Sequence, residues 1–216
     1  MTTTPVPRFR IGEAISFGWS AFWRNIGPLA LFAVITFLVG ALLASPQFIA
    51  PETFDDPAPI FALNLLNFLV NSLIAIGWLK ITLDIVDHRP VSANGVLDAY
   101  RLFLPYVIGA ILYTLMVTIG FILLIVPGIV LVLTFTYYGY AIVDRRSDGP
   151  IAGLRRSAEI TKGERWHLLG LGIVLILLNL VGLLVLIVGV LVTAGISSIA
   201  WAYVYRQLNA TAVPAQ

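Results

Sequence analysis

The uncharged stretches of this chain are long enough to cross a membrane. Positions 102–143 and 166–205 contain no Asp, Glu, Lys or Arg, and these gaps are 42 and 40 residues long. At about 1.5 Å rise per residue, either gap forms about 60 Å of helix, twice the roughly 30 Å thickness of the bilayer hydrocarbon. Each gap therefore predicts two antiparallel spans. The shorter uncharged runs 25–51 and 57–79 each predict one more.

This pattern predicts an all-α membrane protein in which residues 1–216 form a single multi-pass domain. The six predicted transmembrane helices are 26–44, 60–85, 104–126, 128–143, 166–184 and 187–204. Composition agrees, because 59% of residues are hydrophobic and only 11% are charged, whereas soluble domains are about one quarter charged. A soluble helical protein is a poor alternative, because 40 uncharged residues leave no helix face suited to water.

The positive charges predict the orientation. All thirteen Lys and Arg residues lie before span one, near or after the inner end of span two, between spans four and five, or after span six. The positive-inside rule therefore places both termini and the loops after spans two and four in the cytoplasm. The loop between spans one and two carries only Glu52, Asp55 and Asp56 and is expected outside. Residues 1–10 lack the apolar core of a cleavable signal peptide, so we expect the first span to be retained.

A short amphipathic segment precedes each odd-numbered span. The first has its apolar side chains at helical spacing on one stripe, which consists of Ile11, Ile15, Gly18, Trp19 and Phe22. Residues 94–103 and 151–162 show the same kind of pattern. We expect three short interfacial helices on the cytoplasmic side, because such faces suit the headgroup level.

The order of interfacial helix, span, turn, span suggests a threefold internal repeat. The even-numbered spans end in related motifs at offsets of 57 and 61 residues, namely Ile85-Val86-Asp87-His88-Arg89, Ile142-Val143-Asp144-Arg145-Arg146 and Tyr203-Val204-Tyr205-Arg206-Gln207. We interpret the basic residue past each span as a headgroup anchor, with the preceding Asp as its local partner. The alternative is that apolar sequence of low complexity imitates itself.

Span two carries a row of carboxamides on one face. Asn64, Asn67 and Asn71 are spaced by three and four residues, which aligns them along a helix. We expect this face to point into the bundle, where Asn joins helices. The alternative is a path for a solute or ion, which would also need Thr114, Thr118 and Asn179 to converge on it.

Two groups of charged residues have competing interpretations. Lys80 and Asp84 lie four apart near the inner end of span two. An ionisable pair in a membrane is a functional candidate, but Lys80 can reach the interface, so we favour a local ion pair. The second group consists of Arg145, Arg146, Arg155, Arg156, Lys162 and Arg165. These residues either set the topology or bind anionic lipid headgroups.

The sequence offers little material for catalysis. It has no cysteine, and its two histidines, His88 and His167, lie in separate segments without metal-ligand spacing. No nucleophile elbow or phosphate loop is present. We therefore predict no enzymatic activity, no cofactor and no metal. Nucleic acid is an unsuitable partner, because acidic residues interrupt the basic cluster.

Several motifs resemble a known family. Val126-Pro127-Gly128-Ile129, Ala152-Gly153-Leu154-Arg155-Arg156-Ser157 and Ile160-Thr161-Lys162-Gly163 resemble segments of the YciC-like inner-membrane proteins. They are also similar to the membrane domain of some glycerophosphodiester phosphodiesterases. The resemblance implies a six-span protein of the bacterial cytoplasmic membrane with no assigned catalytic residue. Outside its spans the chain leaves no room for the phosphodiesterase barrel, so we do not expect that activity.

Two functional hypotheses follow from the sequence. The first is a non-catalytic scaffold or accessory protein in envelope or lipid homeostasis, whose membrane-lipid partners are anionic headgroups on the cytoplasmic side. The second is a small-solute or ion transporter or channel that uses the polar face of span two. Interrupted spans in matching positions would favour the second hypothesis, and the sequence does not indicate any.

Overall fold

The computed structural model describes residues 8–49, 57–144 and 148–212, and these residues are almost entirely helical. The helices are α1 Ile11–Arg24, α2 Ile26–Ile49, α3 Pro57–Val86, α4 Ala93–Ala99, α5 Phe103–Leu123, α6 Ile125–Phe135, α7 Tyr138–Val143, α8 Pro150–Ile160, α9 Arg165–Leu184 and α10 Leu186–Ala212. A short 3-10 turn, Tyr100–Leu102, joins α4 to α5. The predicted acidic outer loop lies outside the described residues.

Five stretches of the described chain are long and apolar enough to cross a membrane. They are Ile26–Ala44, Ala58–Val86, Asn94–Leu123, Ile125–Val143 and Arg165–Leu184. Each overlaps one of the first five predicted spans, so the prediction of several helices long and apolar enough to span a membrane is confirmed. The sixth predicted span lies within α10, a 27-residue helix. Its crossing of the membrane remains a prediction.

The structure changes the boundary between spans three and four. α5 ends at Leu123, and Leu124 alone is extended, with φ −166° and ψ 156°, before α6 begins at Ile125. The prediction that span three continues to residue 126 is therefore wrong by about three residues. Pro127 marked the turn in the sequence but lies in the first turn of α6, where a missing backbone N–H costs no intrahelical hydrogen bond.

The predicted span four is two helices. α6 ends at Phe135 and α7 begins at Tyr138, so the helix is interrupted at positions 136 and 137. Ser157 of α8 and Thr161, one residue past the end of α8, stabilise this break. The Ser157 hydroxyl donates to the Thr134 carbonyl at 2.8 Å and accepts from the Tyr137 N–H at 3.1 Å, while Thr161 donates to the same carbonyl at 3.1 Å. The interruption thus depends on side chains 20 or more residues away.

The predicted amphipathic segments form helices α1, α4 and α8. The α1 stripe faces protein in part, because Gly18 and Phe22 are buried, together with Ala14 and Ala21. α1 packs closely along α10: a Cβ atom on Gly18 would lie 2.7 Å from the carbonyl oxygen of Ile196. α8 is also packed against the bundle, since its Ser157 is fully buried. An interfacial location for these helices remains a prediction.

The best-packed core lies toward one end of the bundle, where α3, α7 and α10 end. Tyr137 and Tyr205 are fully buried there, with ring centroids 5.7 Å apart, and Leu168 and Leu208 are equally buried. α2 is far less enclosed, with 6% of its apolar window buried. Along the chain, one short helix followed by two long helical segments occurs three times. The internal repeat itself remains a prediction.

Candidate functional site

A partly buried charged cluster joins α3, α7 and α10. Arg206 of α10 lies between Asp87, one residue past α3, and Asp144, one residue past α7. Its Nε and Nη2 donate to the two Asp87 carboxylate oxygens at 2.7 and 2.6 Å, and its Nη1 donates to Asp144 Oδ2 at 2.5 Å. These side chains are 17%, 17% and 13% exposed for Arg206, Asp87 and Asp144. We call these three residues the charged centre.

The surroundings keep the guanidinium charged. Burial lowers the pKa of Arg206, but the hydrogen bonds and charges of Asp144 and Asp87 outweigh that effect and raise the pKa above its ordinary value. The Tyr205 hydroxyl donates to Asp144 Oδ2 at 3.2 Å, and the Arg206 guanidinium lies 5.6 Å from the Tyr205 ring centroid. One arginine therefore forms hydrogen bonds with two carboxylates in a partly buried network.

The charged centre adds long-range contacts to the interpretation of the repeated motif. The sequence suggested that the basic residue after each even span anchors its own helix and pairs locally. At span two Arg89 does pair locally, with its Nη2 3.7 Å from Asp87 Oδ2, whereas Arg206 is hydrogen-bonded to carboxylates 119 and 62 residues away. Arg145 lies outside the described residues, and His88 is exposed. The recurrence of Asp at the ends of spans two and four was the signal that could have indicated this site.

A cavity of about 260 Å³ lies beside the charged centre. Its other charged lining residues are Lys80, Asp84, Arg89 and Asp98. The predicted Lys80–Asp84 ion pair is present, with the lysine Nζ bonded to both carboxylate oxygens. The cavity wall therefore combines four carboxylates with three cations. Within the described ranges, no three His, Asp or Glu side chains are arranged to hold a metal ion.

The basic cluster is divided by the structure. Arg145 and Arg146 lie outside the described residues, whereas Arg155 and Lys162 are exposed. Arg156 is engaged within the protein: its Nε and Nη2 donate to Asn209 Oδ1 at 3.0 and 2.8 Å. Arg156 is thus a link from α8 to α10, and it is less suited to lipid than its neighbours.

Arg165 lies at an apolar groove of about 290 Å³ between α6 and the start of α9. The groove is lined by Val126, Ile129, Val130, Leu133, Arg165, Trp166 and Leu169. The Arg165 Nε is buried and makes no hydrogen bond to the described part of the chain. Trp166 is 81% exposed. A cation with an unused donor therefore borders a surface suited to hydrocarbon.

The asparagine face of span two does not point into the bundle. Asn64 and Asn71 are exposed and Asn67 is half-buried, so the expectation of an inward face is wrong for the single chain. The Asn67 and Asn71 amides donate to carbonyls one turn back in α3, at 3.0 and 2.8 Å. Thr114 and Thr118 are also exposed.

Asn179 behaves differently from the span-two amides. Its Nδ2 donates to the Leu175 carbonyl at 2.7 Å and to the Ser197 hydroxyl at 2.9 Å. The second bond joins α9 to α10, which is the packing role that Asn commonly has between membrane helices. Asn179 therefore lies apart from the other three asparagines and does not converge with them on a shared path.

Comparison with known proteins identifies a domain family. The model of a domain of unknown function, DUF7847, matches residues 91–216, which is more than half of the chain and includes Asp144, Arg165 and Arg206. No curated protein and no solved structure matches the chain significantly. The chain belongs to the family of the DUF7847 domain, whose function is unknown.

Proposed function

We propose that this protein is a non-catalytic scaffold or accessory protein of the bacterial cytoplasmic membrane that binds an anionic phospholipid. In this proposal it has six spans and both termini in the cytoplasm, and it acts in envelope or lipid homeostasis. The resemblance to YciC-like proteins, a prediction from sequence motifs, supports this setting. The charge distribution supports the orientation.

The Arg165 groove carries the lipid proposal. A phospholipid combines an anionic phosphate with acyl chains, and the groove combines a guanidinium with apolar walls. The buried Nε of Arg165 lacks a hydrogen-bond partner among the described residues, and such a group gains free energy when it binds a phosphate oxygen. The headgroup would bind Arg165, while an acyl chain would lie along Val130 and Leu133.

Neighbouring residues support binding of an anionic headgroup. Arg155 and Lys162 are exposed and close to Arg165 in sequence, and basic residues near a membrane surface each attract anionic lipid by about 1 kcal/mol. The exposed Trp166 has the amphipathic ring that favours the headgroup level. Anionic lipids should therefore be preferred to zwitterionic lipids of equal chain length.

Native mass spectrometry tests this proposal with Arg165→Gln. Protein purified in nanodiscs of mixed phosphatidylglycerol and phosphatidylcholine should retain phosphatidylglycerol preferentially, and R165Q should lower that preference about fivefold, equivalent to about 1 kcal/mol. Arg101→Gln is the matched control, because the Arg101 side chain is 82% exposed and lies outside the groove. Equal retention by R165Q and the unsubstituted protein would contradict the proposal.

The transport hypothesis has less support. An interrupted span is typical of transporters, and the break between α6 and α7 provides one. The corresponding helices α3 and α10 are continuous, so the interruption is not in matching positions. Asn64 and Asn71, the suggested path, lie on the outside of the chain. We therefore place transport second.

A further inference from the structure

The outer half of α3 is poorly covered by the rest of its own chain. Among residues 58–71 of this helix none is buried, and Ser72 is the first buried residue. In the neighbouring α2, Leu29 is the only residue buried between positions 26 and 44. The two helices meet near their inner ends, where Phe32 lies against Trp78 at 5.5 Å between ring centroids. One long face of α3 is therefore available to another molecule.

The exposed face of α3 has the spacing of a helix-pairing surface. Phe61, Asn64, Phe68 and Asn71 are all exposed and are separated by three, four and three residues. This is the spacing of the two core positions of a coiled coil, at which side chains of one helix fit between those of its partner. We call these four residues the outer seam.

The outer seam places the Asn71 carboxamide at membrane depth, whereas Asn64 is 20 positions from Asp84, about 30 Å along the helix, and lies at the outer edge of the hydrocarbon. Asp84, near the inner end of α3, is 13 positions from Asn71, or about 20 Å along the helix axis. Asn71 thus falls inside a hydrocarbon layer about 30 Å thick. One Asn71 N–H is used within α3, while its carboxamide oxygen accepts no bond from the described residues. A polar atom facing lipid favours association with a partner that satisfies it.

We propose that two copies of this chain pair through the outer seam around a twofold axis normal to the membrane. A carboxamide is both donor and acceptor, so the same residue on a second copy satisfies it. A parallel twofold pair brings each seam residue to its own counterpart. Asn64 meets Asn64, and Asn71 meets Asn71, with the Phe68 side chains packed between these two levels and the Phe61 side chains packed beyond Asn64. This pairing is independent of the lipid groove, which lies on α6 and α9.

Cysteine cross-linking tests the pairing directly, because the chain contains no cysteine. Phe68→Cys keeps both asparagines and should form a disulfide-linked product of twice the chain mass in oxidised native membranes. Leu180→Cys is the control, since Leu180 is 52% exposed on α9. Equal cross-linking at both positions would indicate random collision and overturn the proposal. A product with a mass other than twice that of the chain would overturn it as well.

The contribution of the amides is tested in the F68C background. The double change Asn64→Leu and Asn71→Leu should reduce dimer formation roughly tenfold, because two symmetric amide contacts are lost. Thr114→Leu with Thr118→Leu is the matched control, since it removes two exposed polar groups from α5 and should leave the dimer unchanged. An unaltered dimer fraction in the asparagine variant would refute the role of the amides.

Discussion

Substitution of Arg206 by Met should destabilise the protein strongly. The change removes three charge-assisted hydrogen bonds from the partly buried Asp87 and Asp144 carboxylates. Removing one partner of a buried ion pair costs about 3–5 kcal/mol. Arg89, whose Nη2 lies 3.7 Å from Asp87, and the 17% exposure of Asp87 reduce the penalty. We therefore expect a loss of about 3 kcal/mol, the lower end of that range.

The triple variant Asp87→Asn, Asp144→Asn and Arg206→Met separates charge from packing. It removes the cation and both anions together, so no carboxylate of the charged centre is left without its arginine. Neutral replacement of a buried ion pair is often tolerated, and we expect the triple variant to be more stable than Arg206→Met alone by about 1–2 kcal/mol. The sum of the single-variant losses should greatly exceed the loss in the triple variant, since the residues form one network.

Unfolding in mixed micelles, followed by tryptophan fluorescence as the fraction of SDS rises, gives the free energy of unfolding for each variant. Arg101→Met is the control: the Arg101 side chain is 82% exposed and its ion pair with Asp98 is 3.8 Å long. We expect it to cost less than about 0.5 kcal/mol. If Arg206→Met were equally mild, or the triple variant were the least stable, the reasoning about the charged centre would be refuted.

Two further substitutions test the packing of the short helices by the same unfolding measurement. Ser157→Ala removes the hydroxyl that caps the break in span four and should lower the free energy of unfolding by about 1–3 kcal/mol. The control is Ser198→Ala, whose hydroxyl bonds only within α10 and whose loss should cost under about 0.5 kcal/mol. Equal effects of the two substitutions would contradict the capping role. Gly18→Ala places a Cβ against the α10 backbone and should destabilise by about 1–3 kcal/mol. Gly12→Ala, with open space around it, should be neutral or stabilising, and a neutral Gly18→Ala would show that α1 does not pack closely on α10.

The spacing of charges predicted most of the long helices, because a membrane excludes ionised side chains over a fixed length. It could not predict the break at positions 136 and 137. That break needs hydrogen bonds from Ser157 and Thr161, which only the tertiary fold brings to Thr134. From the sequence, Pro127 was expected in the loop between spans three and four. It lies instead in the first helical turn of α6.

The candidate sites were predictable in residue type but not in partners. The sequence showed that Asp87, Asp144 and Arg206 lie near helix ends. It did not show that Arg206 binds Asp87, because these two residues are 119 positions apart and only the fold brings them together. The row of asparagines was visible from its spacing, but a periodic face does not say whether it turns inward or outward. Arg165 was visible as one of several basic residues, and its special position depends on the α6 groove.

The side of the membrane on which α10 begins and ends tests the central claim most directly. Arg206 can reach Asp87 and Asp144 in a six-span protein because α10 crosses the membrane and ends on the same side as α3 and α7. Leu184→Cys, at the end of α9, and Ala210→Cys, near the end of α10, should differ in reaction with a membrane-impermeant thiol reagent. In intact cells the L184C variant should be labelled, whereas the A210C variant should be labelled only after permeabilisation. Labelling of both variants from the same side of the membrane would contradict the six-span account.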